Sequence, residues 1–133
     1  MSHQNVEVTN NVEIVTAFFA GGEHGDEAYL ADDVEFVPFR RLAGAGCRGP
    51  KSFTRYIRGI AEQFAEYEVV PERLRSAGDQ VVVDVRRQAR SARSSVPLID
   101  HFAQVLTLRN GKIVRIQAYP SFDTALKAAG LSE

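Results

Sequence analysis

The sequence has one cysteine and no long apolar run, and both shortages restrict what the chain can be. The single cysteine, Cys47, cannot form an internal disulfide, and the cytoplasm is therefore the expected location. No apolar stretch approaches the roughly 18 residues that a membrane-spanning helix needs. The N-terminal residues also lack the apolar segment of a signal peptide. We therefore expect no membrane association.

An excess of charge of one sign is also missing. The formal net charge is -1, which gives no electrostatic reason to expect a nucleic acid partner. Four arginines cluster at positions 86, 87, 90 and 93, and their placement favours a solvated edge strand over a phosphate site. The histidines and carboxylates lack metal-ligand spacing, and no glycine-rich phosphate motif is present. We expect neither a metal nor a cofactor.

The patterns that are present predict one domain in which helices precede strands. The 133 residues are enough for a single core, and residues 1–8 are predicted to form a polar tail before a domain over residues 9–133. Three N-terminal helices are predicted, starting near Thr9, at Asp26 (covering DEAYLADD) and at Pro50. A run of β-strands and a short C-terminal helix follow. This order is typical of an α+β domain with helices on one face of a curved antiparallel sheet.

The strongest local signal lies in residues 99–119, where two β-rich runs flank an Asn110-Gly111 pair. We favour a three-residue loop closed by Leu108 and Lys112, in which Gly111 supplies the left-handed conformation of a bulge. The alternative is a two-residue turn at the Asn-Gly pair, which would shift every cross-strand pair by one residue. That shift would place Gln117 beside Gln104.

The order and spacing of these elements resemble the nuclear transport factor 2-like superfamily, in particular its SnoaL-like branch. The pieces that carry the resemblance are VEIVTAFFAGGEHGDEAYLADDVEF, RGPKSFTRYIRGIAEQF, SAGDQVVV, HFAQVLTLRNGKIVRIQAY and ALKAAGL. The resemblance implies a cone, in which the three N-terminal helices wrap a bent sheet around an internal apolar cavity. It also implies a homodimer formed through the outer face of the sheet. Because the fold hosts isomerases, cyclases, hydrolases, dehydratases and binders, it does not specify an activity.

The resemblance also implies which side chains face the cavity. It turns the even-numbered side chains of residues 100–108 inward. For residues 80–90, alternation alone would bury the valines, whereas the register implied by the resemblance turns the even-numbered polar residues inward. We favour this polar cavity, with Asp84, Arg86 and Gln88 in it. The ligand-binding residues expected on this basis are Phe18, Phe36, Phe53, Tyr56, Ile57, Ile60, Phe64, Gln88, Phe102, Gln104, Leu106, Ile116 and Ala118.

The catalytic residues of well-known members of the superfamily are not matched. Ketosteroid isomerase uses a Tyr and a protonated Asp as its oxyanion hole, and the resemblance places Phe18 and Gln104 at those positions. Its general base falls at Val37 or Pro38, and neither side chain can accept a proton. Limonene-epoxide hydrolase and SnoaL-type cyclases use an Asp on the last strand, where this chain has Ala118. These mismatches count against all three chemistries.

The remaining acid/base candidates are Asp100 and Asp84, with Arg86 as the group that would tune them. We favour a structural ion pair between Asp100 and Arg86 at the cavity rim over a catalytic role. The leading hypothesis is therefore a protein that binds a small, mostly apolar organic ligand in the cone. One alternative is a lyase, isomerase or cyclase acting on a polyketide- or terpenoid-like substrate with Asp100 or Asp84 as acid/base. The other is a dimeric interaction module whose cavity is incidental.

Overall fold

The computed structural model describes residues 3–22, 24–38, 46–94 and 96–131. Its helical elements are α1 (His3–Phe19), a 3₁₀ turn (Glu27–Tyr29), α2 (Pro50–Ala61) and α3 (Phe122–Ala128). Its strands are β1 (Leu30–Val37), β2 (Cys47–Arg48), β3 (Glu66–Ala77), β4 (Gln80–Arg90), β5 (Pro97–Arg109) and β6 (Lys112–Tyr119). They form one curved, open sheet in the order β2-β1-β6-β5-β4-β3, in which only β1 and β6 run parallel. The predicted α+β fold is confirmed.

Helix α1 begins earlier than the sequence pattern predicts. It starts at His3 instead of near Thr9, so the predicted start of the first helix is wrong and residues 3–8 are helical. No glycine or proline occurs between His3 and Phe19, so nothing in this segment stops the helix from extending. None of the helices in the described part of the chain is long and apolar enough to cross a membrane.

The predicted second helix is reduced to one 3₁₀ turn. Asp26 caps this turn by accepting a hydrogen bond from the Ala28 backbone N–H at 3.0 Å. The chain then enters β1 at Leu30, inside the segment predicted as helix, because Leu30 and Val34 are both buried and Leu30 pairs with Ile113 of β6. Pairing with a distant strand has outweighed local helix propensity here. Helix α2, by contrast, starts at Pro50 as predicted.

The turn between β5 and β6 has two residues, so the favoured three-residue loop is wrong. Asn110 has a φ of 53° and Gly111 a φ of 77°, and two successive left-handed residues are what a type I′ hairpin turn requires. One extra residue on β6, Val114, then forms a bulge that the sequence pattern does not reveal. Because of this bulge, Gln104 lies opposite Ala118 instead of opposite Gln117.

Strand β4 turns its three odd-numbered valines toward the helices. Val81, Val83 and Val85 are fully buried in one core with Val15 and Phe18 of α1. The even-numbered polar residues therefore lie on the opposite, outer face, and the favoured polar cavity is wrong, whereas simple alternation is right. The physical reason lies in the register of β4. Shifting that strand by one residue would bury its charged side chains under the helices and turn the three valines to the outer face.

The outer face of the sheet is covered in part by α3. Phe122, Ala125 and Leu126 pack there in a second core against Val82 and Val105. The Ser121 side chain caps this helix by accepting a hydrogen bond from the Thr124 backbone N–H at 3.1 Å. The opposite, concave face packs against α1 and α2. The candidate site lies on that side.

Candidate functional site

A small cavity lies between the helices and the concave face of the sheet. Its volume is about 40 Å³, within a concavity of about 380 Å³ that includes the opening to solvent. Helices α1 and α2, the loop after α1, and strands β3 and β5 contribute the walls. The lining residues are Phe18, Phe19, Gly22, His24, Gly25, Phe53, Ile57, Tyr67, Val69, Phe102 and Gln104. The interior of the cone is therefore mostly filled by the protein itself.

Several residues predicted to line the cavity fill the core instead. Leu106 and Ile116 are fully buried in the core beneath the helices. The Phe36 ring packs against Phe53, with ring centroids 5.4 Å apart, and against Tyr56, with centroids 5.3 Å apart. These contacts make Phe36 and Tyr56 part of the core packing and not of the cavity lining. Of the predicted lining residues, the structure places Phe18, Phe53, Ile57, Phe102 and Gln104 at the cavity.

Helix α2 ends too early to include Phe64, the last residue of its predicted lining stripe. Its final residue is Ala61, so Phe64 leaves the helical stripe and stacks on Tyr67, with centroids 5.8 Å apart. Ile60 is half-buried and does not line the cavity. Ala118 is buried opposite Gln104, where it is part of the sheet behind the cavity wall.

Gln104 places a polar group in the apolar wall of the cavity. Its side chain is only 7% exposed, and its cross-strand neighbours are Val83 on β4 and Ala118 on β6. Among the described residues, no donor lies within hydrogen-bonding distance of its buried Oε1 atom. Buried polar atoms are satisfied in the great majority of cases, so this carbonyl oxygen is an acceptor that still requires a donor.

The loop after α1 closes one side of the cavity by direct backbone contact. Gly25 has a φ of 74°, and a Cβ atom at this position would lie 2.4 Å from the Phe18 ring. Only glycine allows so close an approach in this conformation. The neighbouring His24 donates a hydrogen bond from Nδ1 to the Gly25 carbonyl oxygen at 2.9 Å.

An ion pair lies on the concave face, next to the cavity residue Phe102. Asp100 binds Arg87, which stands directly opposite it on β4, through Nε–Oδ1 and Nη2–Oδ2 distances of 2.9 and 2.5 Å. Hydrogen bonding from Arg87 lowers the pKa of Asp100, and the same bonds raise the pKa of Arg87. The prediction of Arg86 as the partner is wrong by one residue, because β4 turns its odd-numbered side chains inward. A carboxylate held ionised in this way is a poor proton donor.

Tyr67 is the main functional candidate that sequence reasoning missed. It lines the cavity, and it is the diagonal neighbour of Arg87 on the concave face of the sheet. Burial, the largest effect, raises the pKa of Tyr67, whereas the nearby positive charge of Arg87 lowers it. The alternation in EYEVV on β3 could have indicated that Tyr67 and Val69 share a face. That face could be identified as the inner one only once the register of β4 was known.

The other predicted catalytic residues lie on the outer face. Asp84 pairs with Arg73, with an Nη2–Oδ2 distance of 2.9 Å, and Arg86 pairs with Glu72, with an Nε–Oε2 distance of 3.2 Å. Arg86 also donates a hydrogen bond to the Gln88 side chain at 2.9 Å. The prediction that Asp84, Arg86 and Gln88 face the cavity is therefore wrong. Among the described residues, no three His, Cys, Asp or Glu side chains are grouped so that they could hold a metal ion.

Comparison with known proteins agrees with the observed fold. Residues 12–116 match a family model described as a SnoaL-like domain. Comparison with curated proteins gives no match. One similar solved structure is a hypothetical protein with a ketosteroid isomerase-like fold from Catenulispora acidiphila DSM 44928, in complex with trimethylamine. It is 23% identical, has a TM-score of 0.69, and the alignment covers 90% of this chain and 93% of that one.

Two further solved structures share the fold. A putative SnoaL-like polyketide cyclase from Jannaschia sp. CCS1 is 20% identical with a TM-score of 0.72, over 90% of this chain and 88% of that one. An M. tuberculosis LEH-like epoxide hydrolase is 19% identical with a TM-score of 0.65, over 91% of this chain and 92% of that one. Identities this low establish a common fold and not a common activity.

Proposed function

Because the chain belongs to the SnoaL-like domain family, we propose that it binds a small, largely apolar organic molecule that donates a hydrogen bond to Gln104. The observation that carries this proposal is the unpartnered Oε1 atom of Gln104, buried in a cavity wall that is otherwise mainly apolar. Leaving a buried acceptor without a donor costs about 1–3 kcal/mol. A hydroxyl or N–H group on the ligand offsets that cost.

The size of the cavity restricts the ligand further. An engineered cavity of about 150 Å³ can hold benzene, whereas the enclosed volume here is about 40 Å³. The enclosed part therefore accommodates one end of a ligand, and the remainder lies in the wider concavity of about 380 Å³ that opens to solvent. The rings of Phe18, Phe53 and Phe102 supply the apolar surface against which this end packs.

The proposal is tested with phenol and toluene, which have nearly the same shape and differ by a hydroxyl in place of a methyl. Binding is measured by calorimetry or by chemical-shift titration. The intact chain should bind phenol roughly three- to tenfold more tightly than toluene, as expected for one net hydrogen bond. Gln104→Leu should abolish this preference, because it removes the acceptor and keeps the volume.

The matched control is Gln117→Leu, the same substitution on β6 at a position paired with Val105 on the outer face. It should leave the preference for phenol intact. Equal affinity of the intact chain for phenol and toluene would contradict the proposal. A preference that survives in Gln104→Leu would also contradict it.

We propose in addition that two copies associate through the outer face of the sheet. Ile99 supports this, because it lies on the outer-facing side of β5 and is 54% exposed. Charged side chains on the same face, Glu72, Arg86 and His101, form a connected cluster that a partner of the same sequence would meet. A cytoplasmic location remains a proposal, supported by the single cysteine.

A further inference from the structure

The Arg87 side chain is held on the concave face by two residues of β5 and lies beside β3. Asp100 binds it through two hydrogen bonds from β5. The Phe102 ring lies beside it, with the guanidinium carbon 5.4 Å from the ring centroid. On the other side, β3 pairs Val69 with Arg87 and Tyr67 with Ala89, so Tyr67 is the diagonal neighbour of Arg87 on the same face.

The fixed guanidinium determines what the Tyr67 hydroxyl can do. A guanidinium has only donors, so toward its diagonal neighbour Arg87 the Tyr67 oxygen can act only as an acceptor. The O–H proton of Tyr67 is then left for another acceptor, and Tyr67 lines the cavity. Stacking on Phe64, with an interplanar angle of 28°, restrains the ring. Burial raises the pKa of Tyr67, so the hydroxyl keeps its proton at neutral pH.

We propose that Tyr67 is a specificity-determining residue that donates a hydrogen bond to a carbonyl or similar oxygen of the ligand, with Arg87 and Asp100 as its positioning residues. This inference rests on the proposed function and narrows its ligand class. The cavity then offers one acceptor, on Gln104, and one donor, on Tyr67. The matching ligand is a small hydroxy-carbonyl compound, or a chemically equivalent molecule with one donor and one acceptor on an apolar body.

The test uses a second pair of probes, benzaldehyde and styrene, which have similar shapes and differ by a carbonyl oxygen in place of a methylene group. The intact chain should bind benzaldehyde at least about threefold more tightly than styrene. Tyr67→Phe should abolish that preference and leave the preference for phenol over toluene unchanged. The control Tyr56→Phe alters a tyrosine that packs on Phe36 and does not line the cavity, and it should change neither preference.

The positioning role of Asp100 is tested by removing its carboxylate and then restoring it with glutamate, while binding of both probe pairs is measured. Asp100→Ala frees the Arg87 guanidinium and should reduce the preference for benzaldehyde without changing that for phenol, and Asp100→Glu should restore it. If Asp100 acted only in folding, Asp100→Ala would reduce the preferences within both probe pairs alike. Equal binding of benzaldehyde and styrene by the intact chain, with phenol still preferred over toluene, overturns this inference alone. Absence of both preferences overturns the proposed function as well.

Discussion

At the scale of single residues, Gly25 determines how closely the loop after α1 approaches the cavity. Gly25→Ala introduces a Cβ atom 2.4 Å from the Phe18 ring, on a backbone with a φ of 74°. We expect a loss of about 2–5 kcal/mol in the free energy of unfolding, from left-handed strain of about 1–2 kcal/mol and overpacking of about 1–3 kcal/mol. Denaturant unfolding measures this loss.

The control for Gly25 is Gly22→Ala in the same loop. Gly22 also has a positive φ, of 98°, but a Cβ atom there would meet nothing within 4 Å. This variant should therefore lose only the backbone contribution, and the difference between the two variants isolates the contact with Phe18. Equal losses in the two variants would show that Phe18 does not restrict this position.

The sequence pattern predicted some of the residues that line the cavity and missed others, and each miss has a physical reason. Phe53 and Ile57 lie on the apolar stripe of α2, and Gln104 lies on the even-numbered face of β5, so periodicity alone could indicate them. Choosing Arg87 over Arg86 required the register of β4, which depends on pairing with strands on both sides. His24 belongs to no periodic element, and no pattern could place it beside the cavity.

At the scale of elements, the β5–β6 turn depends on a left-handed asparagine. Asn110 has a φ of 53°, a conformation that Asn tolerates better than other residues with a Cβ atom. Asn110→Ala should destabilise the chain by about 1 kcal/mol, whereas Asn110→Gly should be neutral or slightly stabilising. Thermal or chemical unfolding of both variants measures the two effects. A loss in Asn110→Gly equal to that in Asn110→Ala would mean that the side chain of Asn110, and not its φ, matters.

Elements with a local signal were predictable, and elements determined by distant partners were not. Pro50 marks the start of α2, and Ser121 caps α3, both from local chemistry. The 3₁₀ turn before β1 was predicted as a helix because the burial of Leu30 against β6 is not a local property. The bulge at Val114 is likewise a consequence of pairing across the sheet.

At the scale of the whole molecule, the order of elements was enough to predict the cone but not how full it is. Whether this cone encloses a large or a small space depends on the side-chain packing of Phe36, Phe53 and Tyr56. The order of elements does not determine that packing. The result is a cavity of about 40 Å³ beneath helices that otherwise pack directly on the sheet.

The proposed homodimer is also a property of the whole molecule. Sedimentation velocity should show a dimer for the intact chain and a monomer for Ile99→Asp, because the charge would be buried in the outer-face interface. Leu98→Asp is the control, since Leu98 is 58% exposed on the opposite side of the same strand. It should remain dimeric. A monomeric intact chain, or equal dissociation of both variants, would contradict association through the outer face.

The most direct test of the central claim is a crystal structure of the chain with phenol bound. The Gln104 carbonyl lacks a donor among the described residues, so it should receive one from the ligand. We expect the phenol hydroxyl within hydrogen-bonding distance of the Gln104 Oε1 atom, with the ring against Phe18 and Phe102. Phenol bound elsewhere, or a water molecule that already satisfies Gln104 and stays in place at saturating phenol, would contradict the account.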